Sequence, residues 1–425
     1  MSRFFLLIVL LLSIQIGEAA DITTLAQEIE DQVVAWRRDF HEHPELSNRE
    51  FRTSEIVANE LKRLGFEVET GIAHTGVVGI LRGGKPGKVV ALRADMDGLP
   101  VVERTGLDFA STKTTTYNGN EVGVMHACGH DNHVAILLGA ANVLAAKKAE
   151  LAGTVKFIFQ PAEEGAPEGE EGGAGLMMRE GVLSSPKVDA IFGLHISQAA
   201  AVGEAGYRPK GAMASAQSFK IEIQGRQTHG AVPWAGVDPI VVGAQIVNAL
   251  QSIVSRQLDI TNAPAVITVG TFHSGVRHNI VPDDATLTGT IRTFDPVMLK
   301  KVHERIGTMS AKIAESMGAT AVTTIDSGVP VTYNDETLTA AMVPTLQKVY
   351  GEDKVAQTAL ITGAEDFSFY QEEIPGLFFF IGGRPKDVPI EKMIPNHSPL
   401  FYADEGALVL GVEVMSQLAV DYLAQ

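Results

Sequence analysis

The chain is organised around the stretch His126-Ala127-Cys128-Gly129-His130-Asp131, which is followed directly by Asn132-His133. Within eight positions this stretch holds three histidines, an acidic residue and the single cysteine of the chain. Imidazole nitrogen, thiolate sulfur and carboxylate oxygen are the side-chain groups that bind divalent metals. A lone histidine would more often cap a helix or pack in a core, but the whole cluster favours a metal site. Gly129 lets the backbone bend, so that Cys128 and His130 face one centre.

The segments around this cluster predict the main elements of the fold. Residues 134–147 are rich in Ala and Leu and indicate a buried helix that begins where the cluster ends. Three apolar, β-branched runs predict buried strands: 88–93, 154–160 and 188–194. A further run, 76–81, is separated from 88–93 by Gly83-Gly84-Lys85-Pro86-Gly87, which predicts a hairpin.

Each of the three buried runs leads into side chains that suit chemistry. They are Asp95 and Asp97, Glu163 and Glu164, and His195. The alternation of strands and helices predicts the α/β class with a mainly parallel, doubly wound sheet. In such a sheet, ligands bind at the carboxyl ends of the strands. We therefore expect these polar groups to share one edge of the sheet.

The pair Glu163-Glu164 admits two interpretations. Adjacent carboxylates that point to different sides of one centre can divide the work, because one binds metal while the other exchanges protons with water. The alternative is a solvated acidic loop that continues through Glu168, Glu170 and Glu171. The buried strand and Pro161 that precede the pair favour the first interpretation.

The pattern changes between 208 and 326. Six elements follow one another in the order βαββαβ, with strands at 218–224, 265–272, 285–294 and 320–325 and helices at 239–255 and 297–317. This order predicts a compact α+β domain, inserted between the two parts of a catalytic domain, 21–207 and 327–425. Loops around His229 and Asn279 either face the active site or simply turn the chain.

Composition and the N-terminus limit the classes of protein. The formal net charge of -17 argues against nucleic acid as a partner. Arg3 and the short apolar run 4–12, followed by small residues up to Ala20, predict a signal peptide over 1–20 and export to the periplasm or medium, without stable membrane insertion after its removal. A retained membrane anchor is the alternative. A single cysteine cannot form an internal disulfide. If the protein is exported to an oxidising compartment, binding of the thiolate to a metal explains the presence of Cys128 better than a free thiol does.

Taken together, these motifs resemble those of a known family, the metal-dependent amidohydrolases related to aminoacylase and glutamate carboxypeptidase. The closest branch holds hippurate hydrolase and the auxin–amino acid conjugate hydrolases, and the resemblance covers essentially the whole chain after residue 20. The motifs that carry it are Arg93-Ala94-Asp95-Met96-Asp97-Gly98-Leu99-Pro100, the stretch 126–131, Gln160-Pro161-Ala162-Glu163-Glu164, Gly193-Leu194-His195, Asn279-Ile280-Val281-Pro282, Gly363-Ala364-Glu365-Asp366-Phe367 and Asn396-His397.

The resemblance implies the residues of the site. It implies two divalent ions (Mn²⁺, Zn²⁺ or Co²⁺) held by Cys128, His130, Glu164, His195 and His397, with Glu163 as general base. The wider family has His-x-Asp as its first motif, whereas this branch, like this chain, has Asp95 in place of that histidine. Asp97 keeps the second half of the motif and is expected to orient a ligand.

The resemblance also implies a role for the inserted domain. It would serve as a lid and dimerisation domain in a homodimer or a higher oligomer. His229 would reach the active site of the neighbouring subunit and donate to the oxyanion. Asn279 is expected to bind substrate.

Three functions are compatible with these residues. The first is an exported amidohydrolase that cleaves N-acyl amino acids, such as hippurate-like, N-acetyl or aryl-acyl conjugates. The second is a carboxypeptidase or dipeptidase that uses the same two-metal centre on short peptides. The third is a non-catalytic solute- or metal-binding protein of the cell envelope. The free carboxylate of Glu163 argues against the third, since metal binding alone needs no general base.

Overall fold

The computed structural model describes residues 21–425, so the predicted signal peptide lies outside the described residues. The α-helices of the described part are α1 (Ile22–Glu28), α2 (Glu30–Glu42), α3 (Phe51–Arg63), α4 (His130–Ala146), α5 (Gly173–Arg179), α6 (Pro239–Gln257), α7 (Pro296–Ser316), α8 (Glu336–Tyr350), α9 (Ser368–Gln371) and α10 (Gly406–Leu423). Its strands are β1 (Glu67–Ile72), β2 (Gly76–Arg82), β3 (Lys85–Asp95), β4 (Thr114–Tyr117), β5 (Asn120–Gly123), β6 (Ala152–Gln160), β7 (Ala190–Ala201), β8 (Ala205–Tyr207), β9 (Lys210–Met213), β10 (Gln217–Gln224), β11 (Thr228–His229), β12 (Ala265–Ser274), β13 (Ile280–Val281), β14 (Asp284–Thr293), β15 (Thr320–Ile325), β16 (Thr332–Asn334), β17 (Val355–Gln357) and β18 (Gly376–Arg384).

The larger sheet has the strand order β1-β2-β6-β3-β7-β18-β8-β17. Its central strands β6, β3, β7 and β18 run parallel to one another. Strands β1 and β2 pair antiparallel at one side, and β8 is antiparallel to β18 at the other. The central strands are nearly continuous apolar runs because helices cover both of their faces. The predicted α/β class with a mainly parallel sheet is thereby confirmed.

Two hydrophobic clusters show that the sheet is covered on both sides. Successive residues of β3 point into different clusters: Leu92 packs with α4 and α10, whereas Ala91 packs with α5 and α9. Helix α10 is apolar enough to pass as a membrane span by composition, yet 67% of it is buried inside the protein. It packs against α4 and α8, so it is a core helix of the doubly wound layer.

The hairpin predicted between 76–81 and 88–93 is wrong. Strand β6 lies between β2 and β3, antiparallel to the first and parallel to the second. Gly83 and Gly84 instead pack against the segment that leads into β6: their amides donate to the carbonyls of Gly153 and Lys148 at 2.8 Å each. A Cβ on Gly83 would lie 2.4 Å from the carbonyl oxygen of Leu151. These glycines therefore serve a close backbone approach and not a two-strand turn.

A second sheet is formed by the strands between 217 and 325. Its order is β12-β14-β10-β15 with every pairing antiparallel, and α6 and α7 pack on it through one hydrophobic cluster. Both helices begin with a proline that follows a capping aspartate, Asp238 for α6 and Asp295 for α7. The side chain of each aspartate accepts a hydrogen bond from a backbone amide in the first turn. The strand and helix order is the βαββαβ pattern. The domain boundaries and the lid role stay predictions.

Candidate metal centre

The carboxyl edge of the central strands carries the predicted polar groups. Strand β3 ends at Asp95, and β6 ends three residues before Glu163. His195 was expected just after a strand but lies inside β7, where it pairs with Phe380 of β18. Strand β7 is longer than its apolar run, because the pairing with β18 continues past the last buried aliphatic residue. The chain crosses from β3 to β6 on one side and then to β7 on the other, which is the topology that forms a ligand crevice.

The loop before α4 brings Cys128 and His130 to this edge. Gly129 between them has φ +97°, a conformation that L side chains rarely adopt. A Cβ at Gly129 would also lie 2.5 Å from a methyl group of Ile196. Helix α4 then starts at His130, with Asp131 in its first turn. The glycine is therefore required both by the turn and by the packing against β7.

The structure brings the five expected ligands together in two groups of three. One group is Cys128, His130 and His195, and the other is Cys128, Glu164 and His397; within each, the ligand atoms lie within 4.8 Å of one another. Cys128 belongs to both groups. A third group of the same kind contains His130, Glu163 and Glu164, so the expected general base lies beside the ligands.

The orientation of the histidines fits a metal. Nδ1 of His130 donates to the backbone oxygen of Asp97 at 2.9 Å, and Nδ1 of His195 donates to that of Ile196 at 2.8 Å. In the neutral ring each therefore turns the lone pair of Nε2 toward the cluster, as in metal-ligating histidines held by a second hydrogen bond, and Nε2 of His195 lies 3.4 Å from Sγ of Cys128. Nε2 of His130 is buried and has no hydrogen-bond partner among the described residues. A buried ring nitrogen of this kind needs a partner, and a divalent cation supplies one.

Asp97 organises the pair of glutamates. Its carboxylate accepts from the backbone amides of Glu163 and Glu164 at 3.1 and 3.0 Å, and from the hydroxyl of Ser47 at 2.8 Å. Because its own carbonyl also holds His130, one buried aspartate fixes three candidate residues at once. This placement is the one expected for a carboxylate that orients ligands.

His397 reaches the cluster from the loop before α10. It has φ +68°, and its amide donates to the carbonyl of Ala127 at 2.8 Å. Its Nε2 lies 3.0 Å from Glu164, and hydrogen bonds to Cys128 and Glu164 raise the pKa of His397 to about 10. Asn396 donates to the carbonyl of Cys128 at 2.8 Å. The motif Asn396-His397 is thus tied to two carbonyls of the cysteine loop, by the side-chain amide of Asn396 and the backbone amide of His397.

Sequence reasoning missed a buried network beneath the cluster. Arg93, fully buried, donates to Asp95 at 2.6 Å, to Glu365 at 2.9 Å and to Asp366 at 3.0 Å. His133 completes it, because its Nδ1 lies 2.6 Å from Asp95 and its Nε2 accepts from the amide of Ile196. An arginine inside an apolar strand was the available signal, since a buried charge needs partners.

This network shows which contacts Asp95 makes at the position where the wider family has the histidine of its His-x-Asp motif. Its carboxylate is held by Arg93 on one side and His133 on the other, whereas its distance to Nε2 of His130 is 3.9 Å. Both nitrogens of His133 are likewise occupied. Asp95 and His133 therefore support the ligands from behind.

Glu163 lies among other acids. Its carboxylate is within 4.8 Å of those of Glu365 and Asp366. Burial and the charge of Glu365 raise the pKa of Glu163 well above its usual range, and burial raises the pKa of Glu365 to about 8. A carboxyl group in such surroundings takes up a proton readily, as a general base must.

His229 and Asn279 lie close to each other in the second sheet's domain, joined by backbone pairing. The strand that ends at His229 pairs with β13, and the amide of Gly230 donates to the carbonyl of Asn279 at 2.9 Å. His229 is exposed, and its Nδ1 accepts from the amide of Ala231 at 3.0 Å, which leaves Nε2–H as a donor. Neither residue lines the cavity of 330 Å³ above the cluster.

That cavity gives the cluster access to a ligand. Its lining includes Cys128, Glu163 and His397 together with the apolar side chains of Met213 and Phe380. Its volume lies in the range of small-molecule sites. The arrangement is therefore a reachable group of metal-ligating atoms with an acid–base carboxyl beside it.

We predict that Cys128→Ser lowers metal content. Cys128 is common to both groups of ligand atoms, and a neutral hydroxyl is a poor substitute for a thiolate. Elemental analysis of the purified variant should show fewer divalent ions per subunit than the unchanged protein. Equal metal content in the two proteins would make Cys128 a packed core residue without a ligand role.

Comparison with known proteins identifies similar chains. The model of peptidase family M20/M25/M40 matches residues 91–421. Thermostable carboxypeptidase 1 of Saccharolobus solfataricus is 42% identical over 398 residues, which cover 93% of this chain and 96% of that protein. IAA-amino acid hydrolase ILR1-like 2 of Arabidopsis thaliana is 35% identical over 402 residues, covering 94% of this chain and 87% of that protein.

A solved structure agrees with these matches. A Bacillus subtilis protein described as a dinuclear metal-binding peptidase of the M20 family superposes with a TM-score of 0.76 at 34% identity. The similarity covers 94% of this chain and 99% of that one. The resemblance inferred from the motifs is confirmed.

Proposed function

This chain belongs to peptidase family M20/M25/M40, and from that premise we propose that it hydrolyses the amide bond of N-acyl amino acids. Metal-dependent cleavage of amide or peptide bonds is the activity of the family's hydrolases, so the interpretation as a non-catalytic binding protein is set aside. The observation that carries the proposal is the place of Glu163 beside His130, whose Nε2 is buried and has no hydrogen-bond partner within residues 21–425.

Two divalent ions would be held by the two groups of ligand atoms that have Cys128 in common. Their members are Cys128, His130, Glu164, His195 and His397. When bound, such ions lower the pKa of water and polarise an amide carbonyl. Thiolate and imidazole suit Zn²⁺ and Co²⁺, and the carboxylate suits Mn²⁺. Glu163 takes the proton of the attacking water on its carboxylate and delivers it to the nitrogen of the leaving amine. The products are a carboxylic acid and a free amino acid.

The oxyanion donor of this mechanism is His229 of a second subunit. Its Nε2–H is left free by the hydrogen bond at Nδ1. Apolar side chains are exposed on α6, at Ile240 and Val241, and on the edge strand β12, at Val266 and Phe272. An unpaired edge strand with apolar neighbours favours association with another chain. We propose that a homodimer forms through this surface.

We further propose that the protein is exported, on the strength of the pattern in residues 1–20. N-terminal sequencing of the protein purified from its native host should begin near residue 20 or 21. A protein that begins at Met1 would contradict export by a cleaved signal peptide.

A carboxypeptidase is the second candidate function. The sequence identity of 42% to a protein named a carboxypeptidase favours this function. The same metal centre and the same Glu163 would serve, because an N-acyl amino acid and a peptide present the same amide to the site. The two functions differ only in the group on the acyl side of that amide.

A substrate panel under metal control tests the proposal. The protein is stripped with a chelator, reloaded with Mn²⁺, Zn²⁺ or Co²⁺, and assayed on N-acyl amino acids and on dipeptides of the same C-terminal residue. We expect no hydrolysis after chelation, recovery with at least one metal, and faster cleavage of N-acyl amino acids. Faster cleavage of the dipeptides would favour the carboxypeptidase. Full activity in protein shown to be free of metal would overturn both.

A further inference from the structure

A groove lies beside the cavity above the candidate metal centre. That cavity, of 330 Å³, shares Ser197, Ile361 and Phe380 with a second cavity of 430 Å³. The two cavities therefore adjoin at these three residues, and each lies in the size range of small-molecule sites. We call the second one the alanine groove, since Ala199, Ala200, Ala205, Ala356 and Ala359 line it.

The direction of the alanine groove follows from the pairing of strands. His195 pairs with Phe380, Phe380 pairs with Gly206, and Gly206 pairs with Ala356. Neighbouring strands are about 4.8 Å apart, so these three steps span roughly 14 Å across the sheet. The cavity above the cluster and the alanine groove beside it therefore extend, taken together, from His195 to the edge strand β17. An acetyl group covers only the beginning of this distance.

The lining is mainly apolar, and its uncharged polar side chains are Ser197, Gln357 and Thr358. Besides the alanines it presents Ile361 and the ring of Phe380. Its charged side chains are Glu204, Asp353 and Lys354, and the ammonium of Lys354 lies 3.8 Å from Asp353. With two acids against one cation, the lining has a net negative charge, which disfavours an anion. It suits an uncharged hydrocarbon chain.

The cavity above the cluster also borders, at Glu164, a space of different character. A cavity of 370 Å³ that includes Glu164 in its lining also presents Lys113 and the hydroxyl-bearing Thr114 and Thr116. The two sides of a bound amide would thus meet unlike surroundings. The charged amino acid half belongs with the polar side, and the acyl half with the alanine groove.

We propose that the alanine groove binds a straight, apolar acyl chain longer than acetyl, so that medium-chain N-acyl amino acids are the substrates this protein prefers. The inference rests on the proposed amidohydrolase function and adds the class of acyl group. Each methylene that becomes buried contributes about fourfold to binding. Because the groove is open along one side, only part of an octanoyl chain is buried.

The test compares N-octanoyl and N-acetyl derivatives of the same amino acid. We expect kcat/KM of the unchanged protein to be about tenfold or more higher for the octanoyl compound. Ala359→Phe should bring the ratio of the two kcat/KM values close to one, because the ring fills the groove and Ala359 is exposed enough to accept it. Ala359→Leu should give an intermediate ratio. Ala340→Phe, at an exposed alanine of α8 outside the groove, is the matched control.

Each outcome bears on the proposal. A ratio near one in the unchanged protein, or the same fall in Ala340→Phe as in Ala359→Phe, would overturn it while leaving amide hydrolysis intact. If no amide is cleaved, the proposed function fails and the groove is still tested by calorimetry with octanoate and acetate. Octanoate should bind more tightly than acetate. Ala359→Phe should lower the affinity for octanoate and leave the affinity for acetate unchanged. Equal binding of the two acids would overturn the groove as well.

Discussion

Glu163→Gln is expected to keep its metal and its affinity for substrate but to lose turnover by about a hundredfold or more, the usual scale for loss of a general base. The amide side chain cannot accept the proton of the attacking water. The substitution should not disturb the local fold, because the backbone of Glu163 is fixed by Asp97 at 3.1 Å. Steady-state kinetics together with elemental analysis measure the two effects separately.

Glu164→Gln should fail in a different way. Its carboxylate lies 3.0 Å from His397 and belongs to the ligand group that contains Cys128, so loss of its charge should lower metal content. Glu168→Gln, in the exposed acidic loop four positions further on, is the matched control and should change neither quantity. If the Glu163 and Glu164 variants lost metal equally, the division of labour between them would be wrong.

His229→Ala is expected to bind metal and fold normally while turnover falls by roughly two to three orders of magnitude, as for loss of an oxyanion donor. His229 is exposed and lies outside the lining of the cavity above the cluster. Its imidazole is therefore expected to act on the site of a neighbouring subunit. His74→Ala, at an exposed histidine that also lies outside that lining, is the control and should keep full activity.

Mixing two inactive variants tests whether His229 acts across the interface. In a dimer of His229→Ala with Glu163→Gln, one site has its own Glu163 and the partner's intact His229. Random exchange of subunits should restore up to about a quarter of the wild-type activity, because half of the dimers are mixed and each has one complete site. Native mass spectrometry verifies that mixed dimers form. If they form and stay inactive, His229 does not act in trans.

Much of the fold and most of the candidate ligands could be predicted because their signals are local. The apolar runs that became β3, β6 and β7 lie next to the polar residues that follow them in sequence. The carboxyl ends of parallel strands meet at one edge, so adjacency along the chain became proximity in space. Gly129 signalled the bend between Cys128 and His130 in the same local way.

What the sequence by itself determined was a set of candidate metal ligands, a candidate for the base and the order of strands and helices. Only the tertiary structure decided which strands are neighbours and which side chains each buried carboxylate binds. Arg93 meets Glu365 across 272 positions, and β6 enters between β2 and β3. No periodicity records such pairings, because they depend on how the whole sheet closes its core. For the same reason, only the three-dimensional structure shows that Asp95 is hydrogen-bonded to Arg93 and His133. It also shows that Cys128 belongs to both groups of candidate ligands.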